Sequence, residues 1–299
     1  MHDEIRAARA ALTQTVEPLD GEAVALIREV GPVDALRVIR RELPAPIGYE
    51  RAVVRWGGWR PLPEPEALLA RAAEYGGGFI IPEDLGWPEG FAELGTAAPI
   101  GLWYSGDIEA LREPAMTGAV IGSRDATAYG LTVGADVANA LRKNGYTVCS
   151  GLAYGIEGHA LATALHTGST GLPAVGVAAT GIDRTYPSGN ADLVAQLRET
   201  GLILSELAPG LAPTRSRLIA RNRLIAALAG VVCLVEASPR SASLETARIA
   251  DRLSRRVLGV PGPLYSLTSS GVHALLSDGT AECLTGTHDV VTTLHDGTE

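Results

Sequence analysis

The stretch Ala119-Val120-Ile121-Gly122-Ser123-Arg124-Asp125-Ala126-Thr127 decides how this chain is read. A short apolar run, too short for a helix, stops at a Gly-Ser turn, and residues of helical character follow over 127–144. That is one strand–helix unit of a sheet buried on both faces. The unit recurs. Strands are expected at 146–149, 174–178, 202–204, 231–235 and 257–260, and helices near 156–167, 191–199, 222–229 and 242–253. Alternation at this pitch predicts an α/β fold with an extended Rossmann-like, doubly wound, mostly parallel sheet.

Upstream the pattern changes. Residues 21–41 place Ala23, Leu26, Ile27, Val30, Ala35, Leu36, Val38 and Ile39 at helical spacing, and Gly31-Pro32 divides them into two helices. Pro61-Leu62-Pro63-Glu64-Pro65 reads as a linker. A helix over 66–75, Gly76-Gly77-Gly78 and a strand at 79–81 come next. The expected organisation is a small N-terminal helical region over 1–62, a Rossmann-like domain over 63–287 and a C-terminal tail over 288–299.

Apolar residues are 46% of the 299 and charged residues 20%, enough to fill a core, so global disorder is excluded. No apolar run approaches the roughly 18 residues of a membrane helix, and the N-terminus has no signal-peptide core. No membrane association is expected. Cys149, Cys233 and Cys283 are widely spaced with no CxxC, which fits a reducing, cytoplasmic compartment and argues against zinc. The six histidines are not spaced as metal ligands, and His159 and His166 read as helix-surface or packing residues. Trp87, Trp103 and Tyr104 read as packing residues too.

The net charge of −9 disfavours polyanion binding over the whole surface. Its distribution leaves a local site open. Residues 1–111 carry 10 basic and 18 acidic residues, and 263–299 carry five acidic and no Lys or Arg, whereas 112–262 carry 15 basic and 11 acidic. The excess of positive charge therefore lies in the segment that also holds the glycine-rich turns.

Those turns follow the strands at one end of the expected sheet. They are Gly122-Ser123-Arg124, Ser150-Gly151-Leu152-Ala153-Tyr154-Gly155, Thr180-Gly181-Ile182-Asp183, Ser205-Glu206, and the run from Glu236 through Ser241-Ala242-Ser243. Glycine lets backbone N–H groups approach an anion, helix N-termini add partial positive charge, and hydroxyls add donors without bulk. One such turn is ordinary helix capping; several in register suggest a phosphate site. There is neither a GxxxxGK[ST] loop nor a GxGxxG fingerprint, which disfavours ATP hydrolysis and ordinary dinucleotide binding. Arg215, Arg217, Arg221 and Arg223 form the densest basic cluster. Placed just ahead of an apolar helix they would oppose its macrodipole, so phosphate contact is the favoured reason for them.

Taken in order, these segments resemble the DNA-processing protein A (DprA, or Smf) family. The resemblance also uses Tyr186-Pro187, Asn190, Leu204-Ser205-Glu206, Arg221-Asn222-Arg223-Leu224-Ile225, Val235-Glu236-Ala237, Thr246-Ala247 and Val260-Pro261-Gly262, and it runs from about Phe79 to Leu284. It implies a protein that binds and protects single-stranded DNA, hands it to a RecA-like recombinase in transformation or recombination, forms a homodimer, uses no cofactor and is not an enzyme. The implied phosphate-binding residues are Gly122, Ser123, Arg124, Ser150, Gly151, Thr180, Gly181, Asn190, Arg217, Arg221, Asn222, Arg223, Ser241 and Ser243, with no catalytic or metal residue. A C-terminal winged helix is expected to be absent. The chain departs from the family pattern at Glu157 (usually Asp), Leu161 (usually His) and Leu218-Ile219 (usually Phe-Pro), and it places Glu245 beside the expected pocket. The alternative is a nucleotide-processing enzyme of phosphoribohydrolase type, with Glu157, Glu206, Glu236 or Glu245 as its acid or base, or a nucleotide sensor on the same fold.

Overall fold

The structure, a computed structural model, describes residues 1–57, 64–112 and 117–296. Pro61-Leu62-Pro63 of the expected linker, and the boundary placed at residue 62, lie outside the described residues.

Each expected apolar run forms a strand. In chain order the strands are β1 (Gly77–Ile80), β2 (Leu102–Gly106), β3 (Thr117–Ile121), β4 (Thr147–Gly151), β5 (Ala174–Val177), β6 (Leu202–Ser205), β7 (Val231–Leu234), β8 (Arg256–Gly259) and β9 (Glu282–Cys283). They make one sheet in the order β1-β2-β6-β5-β4-β3-β7-β8-β9. Pairing is parallel from β6 through to β9, and β2 runs antiparallel to both β1 and β6. The chain lays β4, β5 and β6 outward from one side of β3, then returns to lay β7 and β8 on the other. The reversal opens a crevice beyond the carboxyl ends of β3 and β7, where ligands bind in sheets of this kind.

The helices are α1 (His2–Thr15), α2 (Gly21–Val30), α3 (Pro32–Ile39), α4 (Glu50–Gly57), α5 (Pro65–Ala73), α6 (Ile108–Arg112), α7 (Ala128–Lys143), α8 (Ile156–His166), α9 (Ala191–Thr200), α10 (Arg215–Leu228), α11 (Ser243–Arg252), α12 (Leu267–Asp278) and α13 (His288–Asp296). One sheet face packs on α7, α8 and α9, with α1, α5 and α13 extending that layer; the other packs on α10, α11 and α12. Strand alternation divides the side chains between them. Val120 and Cys233 enter the first core; Ala119, Ile121, Val232 and Leu234 enter the second. Buried valines and leucines of this kind contribute about 1.5–3 kcal/mol apiece.

The N-terminal helices have a core of their own around Leu12, Leu26, Leu36, Val53 and Trp56. They are also tied to the sheet. Ala10 joins the main core, and the Trp103 indole N–H donates to Thr13 Oγ1 at 2.9 Å. Arg6 donates to Asp84, and Arg9 to Glu83 and to the Ile100 carbonyl.

Two expectations are corrected. The helix expected from residue 222 begins at Arg215, capped by the Thr214 hydroxyl, which accepts from the Arg217 N–H at 3.2 Å. The arginines therefore lie in the helix, not ahead of it. Carboxylates on Glu17, Glu157 and Glu206 pair with three of them and remove the objection from the macrodipole. The stretch expected as a tail from residue 288 runs as α13, because Val290 and Leu294 find an apolar seat against α7 and β7.

Candidate functional site

The crevice is an open cleft of about 810 Å³. Its walls are the β3–α7 turn (Gly122, Ser123, Arg124), the first two turns of α10 (Arg215, Leu218, Ile219, Arg221, Asn222) and the β7–α11 turn (Ser238, Arg240, Ser241, Ala242, Ser243, Glu245). The sheet builds these walls. Thr127 caps α7 through its hydroxyl, which accepts from the Gly130 N–H. Buried Glu236 accepts from the Thr127 N–H at 2.9 Å, the Thr127 hydroxyl at 2.7 Å and the Thr268 hydroxyl at 3.3 Å, fixing the first turn against the far wall. Gly155, at φ +74°, packs against the backbone carbonyls of Ser123 and Arg124, where neither its backbone conformation nor the space admits a Cβ. On the opposite wall the Ser241 and Ser243 hydroxyls lie 2.6 Å apart, and Asn222 Nδ2 donates to the Ala242 carbonyl at 3.2 Å.

The floor is Arg221, almost fully buried. Its Nη1 donates to the Val177 carbonyl at 2.6 Å, and its Nη2 stands 3.5 Å from Glu157. Among the described residues its Nε has no hydrogen-bond partner, as is also true of the Nε atoms of Arg142 and Arg198. Gly151 makes room for this pair, since a Cβ there would strike both the Arg221 guanidinium and the Glu157 carboxylate. Around the rim, Arg124, Arg215 and Arg240 are exposed, and among the described residues they have neither an ion pair nor a side-chain hydrogen bond. Three uncompensated guanidiniums over serine- and glycine-lined turns make a strong local anion field in an acidic chain.

Gly122, Ser123, Arg124, Arg221, Asn222, Ser241 and Ser243 thus come together. The other expected residues do not line the cleft. Ser150 is buried and donates to the Val120 carbonyl at 2.5 Å, bracing β4 on β3. Thr180 is buried, its hydroxyl donating to the Arg184 carbonyl and its carbonyl accepting from Ser205. Gly181 donates through its N–H to the Leu211 carbonyl. Asn190 holds the β4–α8 turn by donating to the Leu152 and Ala153 carbonyls. Arg217 points to the N-terminal helices and pairs with Glu17 at 2.6 and 2.9 Å. Arg223 lies on the flank of α10, its Nη2 donating to both carboxylate oxygens of Glu206 at 2.7 and 2.8 Å and its Nε to the Ala97 carbonyl. Arg240 was not among the expected residues, although it stands in the serine-rich turn after β7; Arg215 belonged to the cluster but was not singled out.

The four glutamates weighed as acids or bases are each engaged. Glu157 meets Arg221, Glu206 meets Arg223, Glu236 ties turns together, and Glu245 accepts from Arg252 at 3.1 Å.

The family model for DNA recombination-mediator protein A matches residues 78–295. The chain belongs to the DNA processing protein A family. It is 38% identical over 306 residues to a protein of Mycobacterium tuberculosis described as a DNA processing protein DprA, covering 97% of this chain and 75% of the relative. It is 36% identical over 226 residues to DNA processing protein DprA of Streptococcus pneumoniae, covering 76% and 77%. The crystal structure of DprA from Streptococcus pneumoniae superposes with a TM-score of 0.72 at 26% identity over 97% of each chain. A structure of DNA processing protein A from Helicobacter pylori, solved for its single-stranded DNA binding mode, superposes with a TM-score of 0.65 at 30% identity, over 73% of this chain and 96% of that one. The family's extended Rossmann-like fold is the fold seen here.

Proposed function

We propose that this protein binds single-stranded DNA across the cleft between the β3 and β7 turns, shields it, and passes it to a RecA-like recombinase as a homodimer, without a chemical step of its own. The carrying observation is the set of arginines with no ion-pair partner among the described residues, Arg124, Arg215 and Arg240, over the Gly122-Ser123 and Ser241–Ser243 turns at the strand-order reversal. A row of phosphates needs repeated cationic contacts along an open groove, and the cleft supplies them where a closed nucleotide pocket would not. The single-strand binding mode described for the Helicobacter pylori relative supports the same ligand. The engagement of all four glutamates favours binding over hydrolysis.

The test is an anisotropy titration of labelled oligo-dT with the wild type and with Arg124→Ala. Wild-type binding should weaken steeply between about 50 and 200 mM salt; Arg124→Ala should bind less tightly at low salt, with a salt slope shallower by about 0.7. Equal affinity in the two proteins would remove Arg124 from the interface. Sedimentation of the complex reports the homodimer, and recombinase filament growth on the bound strand reports the hand-over.

A further inference from the structure

At Ile219 and Glu245 the cleft meets a second groove, of about 440 Å³, which shares those two residues with it. We propose that a base of the bound strand turns out of the cleft into this groove and donates its exocyclic amine to Glu245, so that cytosine or adenine is preferred there to thymine; this rests on the single-strand reading above. Residues of α10, α11 and the segment 93–97 form the groove's walls, and Leu94 and Ile249 give it an apolar, partly buried lining. Its lips are Ile219, 44% exposed, and Leu19, 51% exposed. Apolar side chains left this far in water, along a groove continuous with a ligand cleft, are a seat for an apolar surface, and the face of a nucleobase is one.

Charge decides which part of the strand goes where. The arginines with no ion-pair partner among the described residues, Arg124, Arg215 and Arg240, border the cleft and not the groove. The arginines of the groove are matched, Arg223 by Glu206 and Arg252 by Glu245. Phosphates are therefore held in the cleft, and what enters the groove is uncharged. Glu245 stands where the two meet, an exposed carboxylate that repels phosphate from the groove's mouth. Arg252 donates to its Oε1 at 3.1 Å, and both side chains are half exposed, so the carboxylate keeps capacity for a further donor. Cytosine and adenine carry an amine donor on the edge where thymine and uracil carry a carbonyl. A carboxylate accepts from the first and repels the second.

The experiment compares oligo-dC and oligo-dU of equal length, by anisotropy at mildly alkaline pH, against the wild type, Glu245→Ala and Leu19→Asn. The two pyrimidines match in size and differ on that one edge. Differences between the strands themselves are common to all three proteins and cancel when the affinity ratios are compared. The ratio of oligo-dC to oligo-dU affinity should fall about fivefold in Glu245→Ala. Removing the charge also raises both affinities together, which the ratio does not register. Leu19 has φ +68°, a conformation that asparagine adopts more readily than leucine, so Leu19→Asn keeps the fold. It should weaken both strands alike, about threefold, because the lost contact is to the face of the ring and not to its edge. Its salt slope should not change, since no phosphate contact is removed. An unchanged ratio in Glu245→Ala would leave that carboxylate as a first-turn acid of α11 and overturn the proposal. Unchanged binding in Leu19→Asn would put the base outside the groove and overturn it too. In both cases binding of the two strands by the wild type leaves the cleft reading intact, whereas failure of the wild type to bind either strand would overturn both.

Discussion

Arginines close in sequence do different work here, and the difference can be measured. Arg223 is buried against Glu206. Arg223→Met leaves that carboxylate buried without its partner and should cost about 3–5 kcal/mol of stability, read as a lower urea midpoint. Arg240 is exposed and unpaired, so Arg240→Ala should leave the midpoint within about 0.5 kcal/mol of the wild type while reducing the salt slope of oligo-dT binding by about 0.7. If the two variants behaved alike, the division of roles between them would be wrong. The thiols give a further check. Burial pushes Cys149 and Cys233 up to about 12, whereas Cys283 is exposed. A thiol reagent should therefore label one cysteine in the native protein and all three in denaturant; fast labelling of a second native thiol would contradict the buried placement of β4 and β7.

At the scale of elements, the strands and turns were legible because sheets buried on both faces leave continuous apolar runs ended by glycine. β2 escaped notice because Trp103 and Tyr104 sit between glycines in a run too short to stand out, and β9 because its two residues are polar or exposed. The arginine cluster was legible as a cluster but not in its roles. A helix beginning at Arg215 turns positions 215 and 223 away from 217 and 221, which lie four apart on one side, and length along the helix separates the rest: Arg217 reaches Glu17, Arg221 Glu157 and Arg223 Glu206. Its start is capped by Thr214, and the partners that sort its arginines are Glu17, Glu157 and Glu206. The docking of α1 makes a prediction at this scale. Burial alone would raise the Asp84 carboxyl, but hydrogen bonds from Arg6, the Ile81 N–H and His2 outweigh it and hold it below its ordinary 3.8. A depressed folded-state value means stability that is present above 3.8 and lost as pH falls through the folded value. The stability gap between wild type and Asp84→Asn should be full above 3.8 and shrink as pH falls from there through the lower folded value. A gap independent of pH would contradict the pairing.

For the whole molecule, the sheet and the N-terminal helices share α1, whose residues enter two cores. Unfolding in urea followed by tryptophan fluorescence and by far-ultraviolet circular dichroism should trace one coincident transition; two separated transitions would mean that the N-terminal helices fold apart from the sheet. The same architecture sets net negative charge against a cationic cleft at the strand-order reversal, so attraction for a polyanion is confined to one groove. The direct measurement is the slope of log affinity for oligo-dT against log salt, in the wild type and in Arg124→Ala/Arg215→Ala/Arg240→Ala. The cleft account predicts tight binding at low salt and a slope shallower by about 2 in the variant, at an unchanged unfolding midpoint. An identical slope in the two proteins, or no binding by the wild type at low salt, would contradict it.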